Sequence, residues 1–197
     1  MRIFLLVIFF MAMSVKPVSA ILPVTPENIA AAQEYGRQKS LLALPEFFHS
    51  WMVYEETAAR LNDTTEWACL YTPFLLVASD ARDKTLKRQF VGISDGKVVL
   101  EQYNRYLVFG VRLFGSGFGF ADGVEAALKQ GEKKVSALAV YSVTQNDGVL
   151  TTNDGVSVKL YIYIAKDAID VTKPAVLELV TKTGRESKFF FNLSMFK

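Results

Sequence analysis

The sequence predicts an α+β fold in which N-terminal helices pack on a largely antiparallel, sandwich-compatible β-sheet that dominates the C-terminal part. Two patterns support this prediction: apolar residues at helical spacing early in the chain, and alternating apolar and polar residues at 156–165. With 51% hydrophobic residues among 197, the chain can build one ordinary core. We expect a single domain over 21–197, helix-rich at 24–65, mixed at 66–132 and β-rich at 133–197.

Residues 1–20 have the pattern of a secretory signal peptide. A positive charge at Arg2 precedes an uncharged run at 3–15, and small residues occupy 18–20. The apolar run is shorter than the ~20 residues that a membrane-spanning helix needs. We therefore expect cleavage after Ala20 and export to the periplasm or the extracellular space. An uncleaved N-terminal anchor is the alternative.

Loss of this signal would leave a chain without net charge. The formal charge of +2 is carried by Arg2 and Lys16, which both lie in the signal. A balanced surface has no long-range attraction for a polyanion, so we predict no nucleic-acid partner. We also expect no stable membrane insertion after cleavage. The predicted partner is an unidentified protein or an apolar ligand.

The only cysteine, Cys69, excludes an intramolecular disulfide even in an oxidising compartment. Its apolar neighbours favour a buried and unreactive thiol. Stability must therefore come from packing.

Two helices are predicted in the first third of the chain. Thr25 can cap a helix that begins with Pro26 at its first position. A second helix is expected to begin at Pro45, because apolar residues follow it at steps of 4, 3, 4 and 3. This stripe consists of Phe47, Trp51, Tyr54, Ala58 and Leu61.

Residues 67–81 fit either a helix or a buried strand. A helix over the whole range would place Pro73 in its interior, at a cost of about 3 kcal/mol. Thr72, before the proline, prefers an extended conformation. We favour a strand here.

The remainder of the chain is mostly β in this interpretation. Helices are expected at 98–105 and 121–130, the second ended by Gly131. The strands are predicted at 106–114, 137–143, 156–165, 175–181 and 187–194. The last four are expected to form an antiparallel sheet.

Residues 92–96 match the G-x-S-x-G pattern of a hydrolase nucleophile elbow. That family requires a histidine after the serine, and the single histidine, His49, precedes it. We interpret the segment as a turn in which Ser94 or Asp95 caps the following helix.

No catalytic constellation is predicted. His49 is interpreted as structural, with a His49–Cys69 dyad as the alternative. The acidic clusters at 55–56 and 80–83 are expected on the surface, although paired carboxylates could catalyse hydrolysis.

The candidate ligand contacts are aromatic. Phe118 and Phe120 lie in a Gly-Phe loop that could cover a ligand, and Trp51 and Tyr54 complete the set.

The tripeptide Asn-Asp-Gly occurs at 146–148 and 153–155 and is interpreted as two turns. A Ca²⁺ ion shared by Asp147 and Asp154 is the alternative. We predict no cofactor and no metal site.

These observations together favour an exported, non-catalytic binding or interaction module. The alternatives are a small carboxylate-dependent hydrolase and a carrier of an apolar ligand.

Overall fold

A computed structural model describes residues 25–62, 64–117, 119–143, 149–152 and 155–196. In these ranges the chain forms four α-helices and two antiparallel β-sheets, which confirms the predicted α+β class. The expected signal peptide lies outside the described residues, as do Phe118, Asp147 and Asp154.

The helices are α1 (Pro26–Gln38), α2 (Leu44–Phe48), α3 (Pro73–Leu86) and α4 (Ile93–Tyr103). The strands are β1 (Met52–Tyr54), β2 (Trp67–Tyr71), β3 (Tyr106–Gly115), β4 (Glu125–Gln130), β5 (Lys133–Ser136), β6 (Ala139–Val143), β7 (Val149–Thr152), β8 (Gly155–Ala165), β9 (Pro174–Val180) and β10 (Glu186–Asn192).

The strands form a sandwich of two sheets. The large sheet has the order β1-β2-β3-β8-β6, with β7 also paired to β8, and the small sheet has the order β10-β9-β4-β5. Their inner faces are apolar, because alternate residues of each strand point inward. The rings of Phe109 on β3 and Phe191 on β10 meet across the interior with centroids 5.0 Å apart. The sandwich-like arrangement that the sequence predicted is therefore present.

Backbone hydrogen bonds join the two sheets at two corners. At one corner the N–H of Ala137 donates to Ala126 in the small sheet (2.8 Å), and the next N–H, of Leu138, donates to Tyr163 in the large sheet (2.8 Å). At the other, the N–H of Glu56 after β1 donates to the carbonyl of Lys188 on β10 (2.9 Å). The sheets are therefore held in a fixed relation.

Helix α1 begins as predicted, because the Thr25 hydroxyl accepts a hydrogen bond from the Asn28 N–H.

Residues 67–81 contain both a strand and a helix, the two alternatives that the sequence offered. Strand β2 ends at Tyr71, and α3 begins at Pro73 with Thr72 as its cap. The proline is at the first helical position, where its missing N–H costs nothing. The preference for a strand throughout was therefore wrong.

The helix predicted from Pro45 to Leu61 was also wrong. Helix α2 ends at Phe48, a 3₁₀ turn follows at His49–Trp51, and Met52–Tyr54 forms β1. These three residues pair with β2, so the ladder gives their backbone groups the hydrogen bonds that a helix would otherwise supply.

The helix predicted at 121–130 is instead strand β4. Its composition favours a helix, but β4 pairs with β9 on one side and with β5 on the other. Ala126 and Leu128 are thereby buried in the sandwich. Gly131 does not end a helix; its φ of +59° serves the turn between β4 and β5.

The G-x-S-x-G segment is a helix start. The Asp95 carboxylate accepts a hydrogen bond from the N–H of Gly92 at 2.9 Å and so caps α4, as predicted, but from within the first turn of the helix, which begins at Ile93 and not at residue 98. The loop after α3, and not a strand, precedes it, so the geometry of a nucleophile elbow is absent here. Among the described helices, none has the length and apolar character needed to span a membrane.

Candidate ligand-binding cleft

The outer face of the large sheet is polar and aromatic, and helices cover part of it. Alternation along β8 places Lys159, Tyr161 and Tyr163 on this face, opposite the apolar interior of the sandwich. A cleft of about 330 Å³ lies between these side chains and helices α2, α3 and α4. Its aromatic walls are Phe47, Phe48, Tyr71, Tyr103, Tyr161 and Tyr163.

The aromatic walls hold one another in place. Phe48 of α2 contacts Tyr71 of β2 with ring centroids 5.6 Å apart, and Tyr71 contacts Tyr161 at 5.8 Å. Tyr103 of α4 stacks on Tyr163 at 6.3 Å. Burial raises the pKa of Tyr163 to about 12, and the neighbouring Tyr103 acts in the same direction. Such ring pairs favour a preformed site.

A buried lysine stands among these rings. Lys159 is only 8% exposed, and its Nζ lies 4.7 Å from the ring centroid of Tyr161 and 5.7 Å from that of Phe48. Cation–π attraction partly replaces the lost hydration of the ammonium group. The ion pairs between described residues do not include Lys159.

Helix α3 brings further polar groups to the cleft. The Arg82 Nη2 donates to the Leu42 carbonyl at 3.1 Å, and its guanidinium carbon lies 5.3 Å from the Phe47 ring centroid. Within the described part of the chain, Arg82 Nε and Ser79 Oγ are buried without a hydrogen-bond partner. Both residues line the cleft, so a bound ligand could satisfy these atoms.

Two carboxylates of α3 also line the cleft. Asp80 forms an ion pair with the Nζ of Lys84 at 2.9 Å. Asp83 lies 3.7 Å from Nη1 of Arg82, and its side chain is 64% exposed. Loss of hydration raises the pKa of Asp83, whereas the charges of Arg82, Lys87 and Lys159 oppose the rise. Because solvent screens so exposed a group, the shift contributes little to stability.

A second buried cation adjoins Lys159 on the sheet. Arg112 of β3 is directly opposite Lys159 in the β3–β8 register, so both side chains share the outer face. Arg112 is 8% exposed, its Nη1 donates to Ser157 Oγ at 3.0 Å, and its guanidinium carbon is 5.9 Å from the Trp67 ring centroid. Burial lowers the pKa of Arg112 from its ordinary value.

The aromatic residues predicted as ligand contacts lie elsewhere in the fold. Trp51 is buried against Phe74, with stacked rings 5.8 Å apart. Tyr54 is partly exposed on the edge strand β1, and the half-buried Phe120 contacts the Arg185 guanidinium. None of the three lines the cleft, and their part in binding stays a prediction.

The structure also places the residues of the alternative sites. His49 is exposed in the 3₁₀ turn after α2, while Cys69 is fully buried at the centre of β2. Glu55 accepts hydrogen bonds from the N–H groups of Thr57 and Lys188, a structural use of its carboxylate. In the described ranges, no group of three or more His, Cys, Asp or Glu side chains is arranged to hold a metal ion.

Sequence reasoning missed the cleft residues because it assigned the polar face of β8 to solvent. One signal was present: Lys159, Tyr161 and Tyr163 alternate on that face, and tyrosine is a side chain that prefers partial burial. The pattern indicates a covered polar face better than a fully solvated one.

No known protein family matches the sequence, and no curated protein is significantly similar to it. A solved structure of the archaellum periplasmic stator protein complex FlaF and FlaG from Sulfolobus acidocaldarius is similar to part of the chain. The match has 13% sequence identity and a TM-score of 0.30, and it covers 44% of this chain and 77% of that chain. A likeness at this level is too weak to indicate function.

Proposed function

We propose that this chain is an exported, non-catalytic binding module and that the cleft on the outer face of the large sheet is its binding site. The main support for this proposal is the composition of the cleft. Its walls are aromatic, and two buried polar atoms, Arg82 Nε and Ser79 Oγ, have no hydrogen-bond partner within the described residues. Such atoms cost free energy in the empty protein, and a polar ligand can recover it.

The size and composition of the cleft support a small ligand. Its volume of about 330 Å³ is near the lower end of the ~300–1,000 Å³ range of ligand pockets. A carrier of a purely apolar molecule would need a closed apolar cavity, but Lys159 and Arg82 line this one. The cleft therefore suits a ligand that combines a flat apolar part with polar groups.

The proposal can be tested by measuring fragment binding before and after a bulky side chain is introduced into the cleft. We expect small aromatic fragments to bind the wild-type protein and to shift the NMR signals of Tyr161 and Tyr163. Substitution Gln102→Trp should abolish these shifts, because Gln102 lies at the cleft wall on α4. Glu101→Trp is the matched control: its neighbouring exposed position does not line the cleft, so binding should persist. Fragments that bind Gln102→Trp as well as the wild type would contradict the proposal.

Exposed apolar side chains also occur at the turn between α3 and α4, at Leu86, Phe90 and Ile93. Isolated exposed apolar residues are common on soluble proteins. The cleft, which combines shape with unpaired polar atoms, supports binding more strongly.

A small hydrolase is a second candidate, because Asp80 and Asp83 both line the cleft. Residues three apart on a helix are neighbours, so the two carboxylates lie on one side of α3, as a paired-carboxylate site would need. Their partners argue for a structural use, since Asp80 is paired with Lys84. Hydrolysis of chromogenic glycosides or esters that is lost in Asp83→Asn but kept in Asp167→Asn would favour the enzyme.

A further inference from the structure

We propose that Lys159 is the anion-recognition group of the cleft, and that the ligand carries a carboxylate or phosphate group on a small planar body. This inference rests on the proposed binding function and specifies the chemical class of the ligand.

The first argument is the burial of Lys159. Lysine is almost never buried without a partner, because its ammonium group loses most of its hydration. Here the side chain is 8% exposed, and its described contacts are the rings of Tyr161 and Phe48. Ring faces attract a cation but supply no acceptor oxygen, and no ion pair between described residues includes Lys159. An anionic ligand oxygen would supply both an acceptor and a counter-charge.

The second argument is that the nearby carboxylates are engaged or turned to solvent. Asp80 is held by Lys84, whose Nζ also contacts Asp95 at 3.2 Å. Asp83 lies within reach of Arg82 and is mostly exposed. Neither carboxylate lies within 4.0 Å of the Lys159 Nζ, the longest distance at which an ion pair forms. The charge of Lys159 therefore interacts with Asp83 only at longer range, without an ion pair inside the cleft.

The third argument is the set of donors around Lys159. Arg112 lies directly opposite on β3 and adds a second buried positive charge to this face of the sheet, although it does not itself line the cleft. Arg82 Nε and Ser79 Oγ add unpartnered donors on the helical side. A carboxylate or phosphate offers several acceptor oxygens together with a negative charge. A neutral sugar offers acceptor oxygens without the charge, and a protonated amine offers neither.

The aromatic walls of the cleft are the reason for expecting a planar ligand. The rings of Tyr71 and Tyr161, and those of Tyr103 and Tyr163, flank the space next to Lys159. Flat apolar groups pack well against such rings. The volume of about 330 Å³ limits the body to a small ring system.

Three probes test the inference by calorimetry and by NMR of the cleft tyrosines: phenylacetate, phenyl phosphate and the neutral phenylacetamide. We expect one or both anions to bind at least about tenfold more tightly than the amide, the size of one charge-assisted hydrogen bond. Phenylacetate and phenyl phosphate distinguish the two sources of the anion. Binding of the preferred anion should weaken as salt is raised.

Variants assign the effect to Lys159. Lys159→Gln should lower the affinity for the anion about tenfold and leave that for the amide unchanged, whereas Lys159→Arg should retain anion binding. Lys129→Gln removes the same charge from an exposed site on β4 and serves as the matched control. If Lys159→Gln does not fold, the comparison of anions with the amide on the wild type still decides.

The outcomes separate the inference from the proposed function. Equal affinity of the three probes, with shifts of the cleft tyrosines, would overturn the anion-recognition role and leave the binding cleft standing. Absence of any shift with all three probes and with the fragments described above would overturn both.

Discussion

At the scale of single residues, burial decides the chemistry of Cys69. The thiol lies at the centre of β2 with no exposed surface. Burial raises its pKa to about 12 from an ordinary value of 9.0, and the charge of Lys159 opposes the shift. The thiolate, which is the reactive form, is therefore absent at neutral pH. This agrees with the unreactive cysteine that the sequence predicts.

The raised pKa of Cys69 predicts a loss of stability in alkali. The unfolded thiol ionises above pH 9, whereas the folded thiol stays neutral to about pH 12. The free energy of unfolding should therefore fall as pH rises from about 9 to about 12. One unit above the unfolded pKa, at pH 10, this group accounts for about 1.4 kcal/mol.

Urea unfolding of the wild type and of Cys69→Ala at pH 8 and pH 10 measures this contribution. The stability difference between the two proteins should move by about 1.4 kcal/mol in favour of Cys69→Ala at the higher pH. Other alkaline groups, such as Tyr163, are common to both proteins and cancel. Rapid reaction of the native thiol with a disulfide reagent at pH 8 would contradict the burial on which the prediction rests.

At the scale of elements, helices α1 and α3 are packed in direct contact at Gly36. A Cβ placed on Gly36 would lie 2.2 Å from the Ala78 carbonyl oxygen and 2.9 Å from the Ala81 Cβ. The contacting atoms belong to backbone and to a short side chain, so neither can rotate away. The glycine is needed here for close approach.

Substitution Gly36→Ala should therefore destabilise the protein, although alanine has the higher helix propensity. We expect a loss of about 1–3 kcal/mol from overpacking, measured by thermal or urea unfolding. Gln38→Ala, at an exposed position on the same helix, is the control and should change stability by less than about 0.5 kcal/mol. Equal stabilities of Gly36→Ala and the wild type would show that α1 can move away from α3.

The elements that the sequence predicts well are those whose local signals agree with the tertiary fold. Strand β8 shows clear alternation, and α1 has both a cap and a proline at its first position. Strand β4 was misassigned because its helix-favouring composition is overridden by pairing with β5 and β9. Such pairing joins residues far apart in sequence, as Leu128 and Leu177, which no local window contains.

The same limit applies to the cleft. Sequence alternation placed Lys159 on the polar face of a strand, but only the packing of α2, α3 and α4 turns that face into a cleft wall. Ser79 and Arg82 are candidate ligand contacts because Ser79 Oγ and Arg82 Nε are buried without hydrogen-bond partners in the described structure. This property depends on the folded chain and cannot be read from the sequence.

At the scale of the whole molecule, the two faces of the large sheet have different surroundings. The inner face packs on the small sheet through apolar side chains, as Phe109 does on Phe191. The outer face carries the charged and aromatic residues of the cleft beneath the helices. The interior of the sandwich and the proposed cleft thus lie on opposite faces of the large sheet, although cleft residues such as Phe47 and Tyr71 also belong to the buried core.

The folded unit is also compatible with removal of the proposed signal peptide. The cap of α1 at Thr25 lies beyond the predicted cleavage point after Ala20, so cleavage would leave all the described elements in place.

Mass spectrometry of the exported protein should find Ile21 at the N-terminus. Signal peptidases require small residues at the first and third positions before the cut and tolerate variety at the second. Ala20→Arg should therefore block cleavage, whereas Ser19→Arg, the matched control, should be processed normally. Wild-type protein that is recovered from the cytoplasm with Met1 still attached would refute the export on which the proposed location depends.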